Sequence, residues 1–278
     1  MDEITAEYAV DSLVEAAPLR LRPVVTVACK TDLGRVRENN EDKFEYFLAD
    51  RDEDVALRGH AFVVCDGMGG HEAGQIASEL ACKTFLDVYR GHPANDVEAA
   101  LVAAVRAANR FVLDVARAMP NRRGMGTTLT ALVLVQDRAW VAHVGDSRCY
   151  RLRGDELEQI TVDHTWVEDA VRTMGISREE AERHPYRHVI TRAIGTEDVV
   201  VPDVLGFDLA AGDIFLICSD GLTNHVSDEE IASCLLEYGP SEAVWRLVGR
   251  ALVDGGSDNC TAVAVRVDEL RPAGNETP

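Results

Sequence analysis

The stretch VVCDGMGGHEAG, residues 63–74, carries an apolar run straight into Asp66-Gly67. Three more acids stand in the same kind of place. AWVAHV (139–144) is followed by Gly145-Asp146-Ser147, DIFLICS (213–219) by Asp220-Gly221, and Asp258 comes just before CTAVAVRV (260–267). Asp-Gly and Gly-Asp are common turn dipeptides, so any one of these sites alone reads as a turn. Four of them at the ends of candidate core strands read differently. Neighbouring strand ends converge on one rim of a sheet, and carboxylates gathered there repel one another unless cations neutralise them. All-oxygen ligation suits Mg²⁺ or Mn²⁺ rather than Zn²⁺. A glycine beside the acid lets the backbone come close, so the Gly67 carbonyl could also ligate. A fifth segment, GRVRENNEDKF (34–44), brings Arg35, Arg37, Glu41 and Asp42 just after the first strand. A guanidinium near metal-holding carboxylates is what phosphate recognition requires, because it grips two phosphate oxygens at once. Arg37 taken alone reads as a surface ion pair.

The elements that must position these groups follow from apolar patterning. Strands are expected at 24–29, 60–65, 129–135, 139–144, 148–152, 213–219 and 260–267, all rich in Val, Ile and Leu. QDRA and GDSR, between successive strands, read as hairpin turns and predict antiparallel pairing. A helix over 72–90 would face inward with Ile76, Leu80, Thr84 and Val88. A helix over 97–118 would do so with Leu101, Val105, Ala108, Val112 and Val115, and 241–253 reads as a third. Residues 161–190 are polar and rich in His and Arg, and read as a flap over a site. Strands in hairpins with helices in blocks indicate an α+β fold with helix-covered antiparallel sheets.

Bulk properties bound the function. The chain has 278 residues with 46% apolar and 27% charged content and a net charge of −20. So acidic a surface argues against nucleic acid and anionic membranes as partners, and a phosphorylated ligand needs a local cation. The seven scattered cysteines form no CxxC, which suits buried thiols in a reducing compartment. MDEITAEYAV lacks the basic start and apolar stretch of a signal peptide, and no apolar run approaches the roughly 20 residues that span a bilayer. The expectation is a cytoplasmic chain.

RENNED (37–42), CDGMGGHEAG (65–74), GMGTTLTALV (124–133), HVGDSRCYRL (143–152), CSDGLTNHVSDEEI (218–231) and GGSDNCTAVAV (255–265) occur in that order. In these motifs, over roughly residues 25–267, the chain resembles the metal-dependent Ser/Thr protein phosphatases of the PPM (PP2C) family, bacterial branch. The resemblance implies two packed antiparallel β-sheets flanked by helices, an αββα sandwich. It implies an extension at 1–22, a phosphatase domain at 23–268 with the flap at about 161–192, and a tail at 269–278. It implies two to three Mn²⁺ or Mg²⁺ ions. Asp66 would bridge two of them, and Gly67 would give its carbonyl to the first. Glu41 would support the second, partly through water, with Asp220 and Asp258. Asp146, with Asp220, would hold a third. Arg37 would bind the substrate phosphate, and Thr127 and Thr128 read as structural. Attack on phosphorus would come from a metal-bridging hydroxide, with charge on the equatorial oxygens stabilised by the metals and Arg37. Phosphorylated Ser/Thr proteins, a Ser/Thr kinase or its targets, would be the partners.

The sequence departs from the family pattern in places. Met68 occupies the position at which animal members carry a His, which leaves a bound water or a nearby His such as His71 as proton donor. His188 stands where some bacterial relatives have Ser. Three rival readings exist. Cys29 to Arg35, CKTDLGR, fits the C-x₅-R of a cysteine phosphatase, but the Cys ends an apolar strand and no helix follows. DGMGGHEAG matches neither GxGxxG nor GxxxxGK[ST]. A catalytically weak phosphatase-fold binding protein would be expected to have lost metal-binding acids, and all four are present.

Overall fold

The computed structural model describes residues 18–70 and 72–274. The expected extension up to residue 17, His71 and the last four residues of the tail lie outside the described residues. In chain order the elements are β1 (Leu21–Asp32), β2 (Lys43–Phe47), α1 (Asp52–Leu57), β3 (His60–Cys65), β4 (Gly67–Met68), α2 (Glu72–Gly91), α3 (Val97–Ala118), β5 (Gly126–Thr127), β6 (Leu129–Val135) and β7 (Arg138–Val144). There follow β8 (Arg148–Arg153), β9 (Glu156–Gln159), α4 (Trp166–Met174), α5 (Arg178–Glu182), β10 (Asp203–Asp208), β11 (Ile214–Cys218), α6 (Asp220–Thr223), α7 (Asp228–Glu237), α8 (Pro240–Val253) and β12 (Cys260–Pro272).

Two five-stranded sheets, β1-β12-β11-β8-β9 and β10-β7-β6-β3-β2, are antiparallel throughout, and β4 and β5 make a small ribbon. HAFVVC is apolar at successive positions because β3 is covered on both faces. Phe62 and Val64 enter the layer between the sheets, with Leu132, Leu134, Phe215, Ile217, Val263 and Val265. Ala61, Val63 and Cys65 point the other way, onto α2 and α3. On the far side, α7 and α8 cover Leu216, Cys218, Ala262 and Ala264. The result is the expected α/β/β/α layering, in which each fully buried Val, Leu or Phe contributes about 1.5–3 kcal/mol.

Two expectations are corrected in detail. GDSR is not a hairpin. It crosses from one sheet to the other, since β7 pairs with β6 and β10 whereas β8 pairs with β9 and β11. The inward face of α2 runs through Ala73, Ala77, Ala81, Phe85 and Tyr89, while Ile76, Leu80 and Val88 are half-buried at its margin and Thr84 lies outside the packed cluster. Small alanines let α2 approach α3 closely, which a search for large apolar residues overlooks. The β1–β12 pairing runs from Leu21↔Pro272 inward.

Candidate functional site

β3 delivers Asp66 at its end. The Asp66 carbonyl accepts from the Thr128 N–H (2.9 Å) and the Thr127 hydroxyl (2.8 Å), and its N–H donates to Thr128 Oγ1 (2.8 Å). Thr128 Oγ1 in turn meets Ser147 Oγ at 2.7 Å, beside Asp146. Thr127 and Thr128 thus tie the two strand ends together, as the structural reading expects. Gly145, at φ +114°, turns the chain at Asp146, and a Cβ there would stand 2.6 Å from the Thr128 side chain. Only glycine fits that approach.

Arg37, Glu41, Asp66, Gly67, Asp146, Asp220 and Asp258 all line one cavity of about 440 Å³ at this rim, together with Met68, His188, Asn224, Ser257 and Asn259. Arg37 Nη2 donates to Asp258 Oδ2 at 2.6 Å. Asn259 holds the arrangement from behind. Its Oδ1 accepts from the Glu41 N–H (2.8 Å), and its amide donates to the carbonyls of Leu33 (2.9 Å) and Asn39 (3.0 Å). The Glu41 carbonyl accepts from the Gly67 N–H (3.2 Å) and from Ser78 Oγ (2.5 Å). Gly74 leaves room for the Glu41 carboxylate, since a Cβ there would lie 2.3 Å from Oε2. A Cβ on Gly67 would strike the Gly74 carbonyl at 2.2 Å. Asn224 donates to Asp220 Oδ2 at 3.1 Å.

The electrostatics are strained. Burial pushes the Asp66 carboxyl well above the usual range, and the charges of Asp42, Asp220, Asp146 and Asp258 push it further. Asp146 is raised to about 8 by burial and then by Asp220 and Asp163. Asp220 is raised by burial and by Asp258. Arg37 is raised first by its bond to Asp258. Among the described residues no three His, Cys, Asp or Glu side chains stand in ready metal-holding geometry. The donor set nevertheless fits a hard divalent cation. It is all oxygen, its carboxylates repel one another, and two glycines keep Gly67 and Glu41 close enough to contribute.

The sequence patterning assigns Asp42 no role. It lies behind the cavity, 1% exposed, accepts from Ser219 Oγ at 2.7 Å, and is raised to about 7 by burial and then by Asp220 and Asp258. Its Oδ1 has no hydrogen-bond partner among the described residues. Asn259 and Asn224 were also missed. The signal for Asn259 was its place in GGSDNC, directly after Asp258. Cys29 is half-buried within β1, opposite Val263, and burial lifts its thiol to about 11. Arg35 Nε is occupied by the Leu252 carbonyl at 2.6 Å, so no phosphate-binding loop joins the two.

Residues 35–249 match the sequence profile of the family described as Protein phosphatase 2C. The chain belongs to that family. It is 40% identical over 248 residues to the serine/threonine protein phosphatase PstP of Mycobacterium tuberculosis (strain ATCC 25618 / H37Rv), covering 89% of this chain and 46% of the relative, about half its length. It is 36% identical over 241 residues to the serine/threonine phosphatase stp of Listeria innocua serovar 6a, covering 85% of this chain and 93% of that one. The catalytic domain of PstP, solved in complex with two manganese ions, superposes with a TM-score of 0.76 at 39% identity, over 88% of this chain and 99% of that chain. The protein phosphatase 2C fold therefore accounts for both sheets and their helical cover.

Proposed function

We propose that this chain is a metal-dependent protein phosphatase that hydrolyses phosphoserine and phosphothreonine in proteins, within a domain of about residues 23–268. The observation that carries the proposal is the convergence of seven residues, from five separate segments, on one cavity. The manganese-bearing relative supports a two-ion site, and we assign Glu41, Asp66, Gly67, Asp220 and Asp258, which share the cavity, to hold two Mn²⁺ or Mg²⁺ ions, with Asp146 and Asp220 available for a third. When bound, such cations supply Lewis acidity and lower the pKa of water.

The chain's own groups do the rest. Arg37 uses one N–H on Asp258 and keeps the others of its fork for phosphate oxygens. The Thr127 and Thr128 contacts hold the Asp66 backbone so that its carboxylate faces the cavity. Asn224 and Asn259 restrain Asp220 and the Glu41 loop against mutual repulsion. The partners we propose are a Ser/Thr kinase or its phosphorylated targets, and the compartment is the cytoplasm, supported by seven free thiols. Among the described residues no helix is long and apolar enough to cross a membrane.

The test is hydrolysis of p-nitrophenyl phosphate and a phosphothreonine peptide with Mn²⁺, with Mg²⁺ and with EDTA. Turnover that appears with metal and vanishes with EDTA is expected. Turnover that survives EDTA but falls to a thiol reagent would move the chemistry to Cys29. No turnover under any condition would leave a phosphatase-fold binding protein.

A further inference from the structure

A second cavity, of about 340 Å³, opens beside the first and shares Asp146, His188, Asp220 and Asn224 with it. Its other wall comes from the excursion between β9 and β10. The excursion's two ends are stitched together, by Trp166 N–H to the Val189 carbonyl (2.8 Å) and Thr191 N–H to the His164 carbonyl (2.8 Å). Val167 and Ala181 give the cavity an apolar wall, and Arg148, Arg178 and Arg187 bring cations to it.

Those cations differ in what they already hold. Arg148 is committed to Asp163, with Nη2 to Oδ2 at 2.8 Å and Nε to both oxygens at 3.0 Å. Arg178 is committed to Glu168, Nη2 to Oε1 at 3.0 Å. Asp163 and Glu168, which also line the cavity, are thereby taken. Arg187 is exposed and forms no ion pair or side-chain hydrogen bond among the described residues. A basic guest would find these two carboxylates occupied and, with Asp146 and Asp220 given over to the cations proposed above, no other in the lining to pair with, whereas an acidic guest finds a free guanidinium.

We infer that this cavity is a substrate subsite in which Arg187 reads an acidic side chain adjacent to the phosphorylated residue. The inference rests on the phosphatase reading, because a phosphorylated residue seated in the first cavity is what leads its neighbour into the second. Arg187 is a specificity residue here. It holds a flanking side chain and takes no part in the chemistry.

The test compares three phosphothreonine peptides, alike except for Glu, Ala or Lys on both sides of the phosphothreonine, at saturating Mn²⁺ and low salt. The wild-type chain is expected to favour the Glu peptide over the Ala peptide by about threefold to fivefold in kcat/KM, as one exposed ion pair allows, with the difference in KM. Arg187→Gln is expected to bring that ratio close to one, and Arg187→Lys to restore most of it. Arg172→Gln is the control, since Arg172 pairs with Asp169 at 2.9 Å and does not line the cavity; it is expected to keep the ratio. A wild-type ratio of one, a preference for the Lys peptide, or a ratio that survives Arg187→Gln would overturn the subsite while peptide turnover leaves the phosphatase reading intact. No turnover of any peptide or of p-nitrophenyl phosphate overturns both.

Discussion

Asp213 and Asp42 are equally buried, at 1% exposure each, and their surroundings are opposite. Asp213 receives a two-pronged guanidinium from Arg153, 2.7 Å at each oxygen, and the Ala210 N–H at 2.9 Å. Asp42 receives the Ser219 hydroxyl, keeps one oxygen without a hydrogen-bond partner among the described residues, and looks onto Asp220 and Asp258. Asp66 and Asp146 share its predicament. A buried carboxylate whose role is structural is given its counter-charge by the chain, because an unpaired buried charge costs several kcal/mol. Where the chain withholds that counter-charge from several acids at one rim, the missing positive charge is what a ligand brings.

The widest separation of these two classes should come from neutralising one member of each. Asp66→Asn is expected to lower metal-dependent turnover by at least about 10³-fold, because it strips a central donor from the cluster. The same change should leave metal-free stability unchanged or improved, since one repelling charge has gone. Asp213→Asn should do the reverse. Turnover stays within about twofold, and stability drops by about 1–2 kcal/mol, less than for a fully buried pair because Arg153 is partly exposed. Steady-state kinetics and urea unfolding on both variants check this. A folded Asp66→Asn protein with full activity breaks the distinction.

A smaller effect separates the classes by pH. In EDTA the native carboxyls of Asp42 and Asp146 hold their protons to about pH 7 and 8, while the unfolded chain loses them near pH 4. The native state therefore binds more protons, and stability falls as pH rises through the folded values. Below about pH 6.5 the buried rings of His60, His143 and His164, all lowered by burial, act in the opposite direction. The clean window is pH 6.5 to 8, where the metal-free Tm should fall by a few degrees. Saturating Mn²⁺ should raise Tm and flatten the slope, contributing about 2.7 kcal/mol at a hundredfold excess over Kd. Thermal scans with a flat or rising metal-free Tm across that window would contradict the electrostatic account.

The rim was legible in the sequence because each acid stands at the end of a run of core residues, and β3 and β6 could be bounded to the residue because polar residues or glycine flank an apolar run. Elements without that contrast were missed. β10, DVLGFD, is an exposed edge strand with little apolar signal. α7 announces itself only through the capping box of Ser227 and Glu230 in HVSDEEI. The supports of the site were illegible for a different reason. Ser219 lies 177 residues from Asp42 and Asn259 lies 218 from Glu41, so nothing in local spacing marks them as partners. The crossover at GDSR was misread because a glycine-aspartate turn looks alike whether the chain returns in its own sheet or leaves for the facing one.

The smallest expected effect concerns Cys29. Its thiol belongs to the well-compensated part of the molecule, within a strand whose neighbours pair in register from Val25↔Val267 to Asp32↔Cys260. Burial holds the thiol near 11, so little of it is thiolate at neutral pH, and only the thiolate attacks phosphorus. Arg35 spends its side chain on the Leu252 carbonyl and its N–H on the Gly256 carbonyl. Chemistry in this fold sits where a strand stops, with the backbone free to turn a carboxylate into the cavity, and Cys29 sits where the strand continues. Cys29→Ser should change kcat/KM by less than about twofold and cost no more than about 1 kcal/mol of stability, since a half-buried sulfur is exchanged for a hydroxyl. Alkylation with iodoacetamide should leave wild-type turnover in place. A folded Cys29→Ser protein that had lost its turnover would relocate the nucleophile from the rim to the strand.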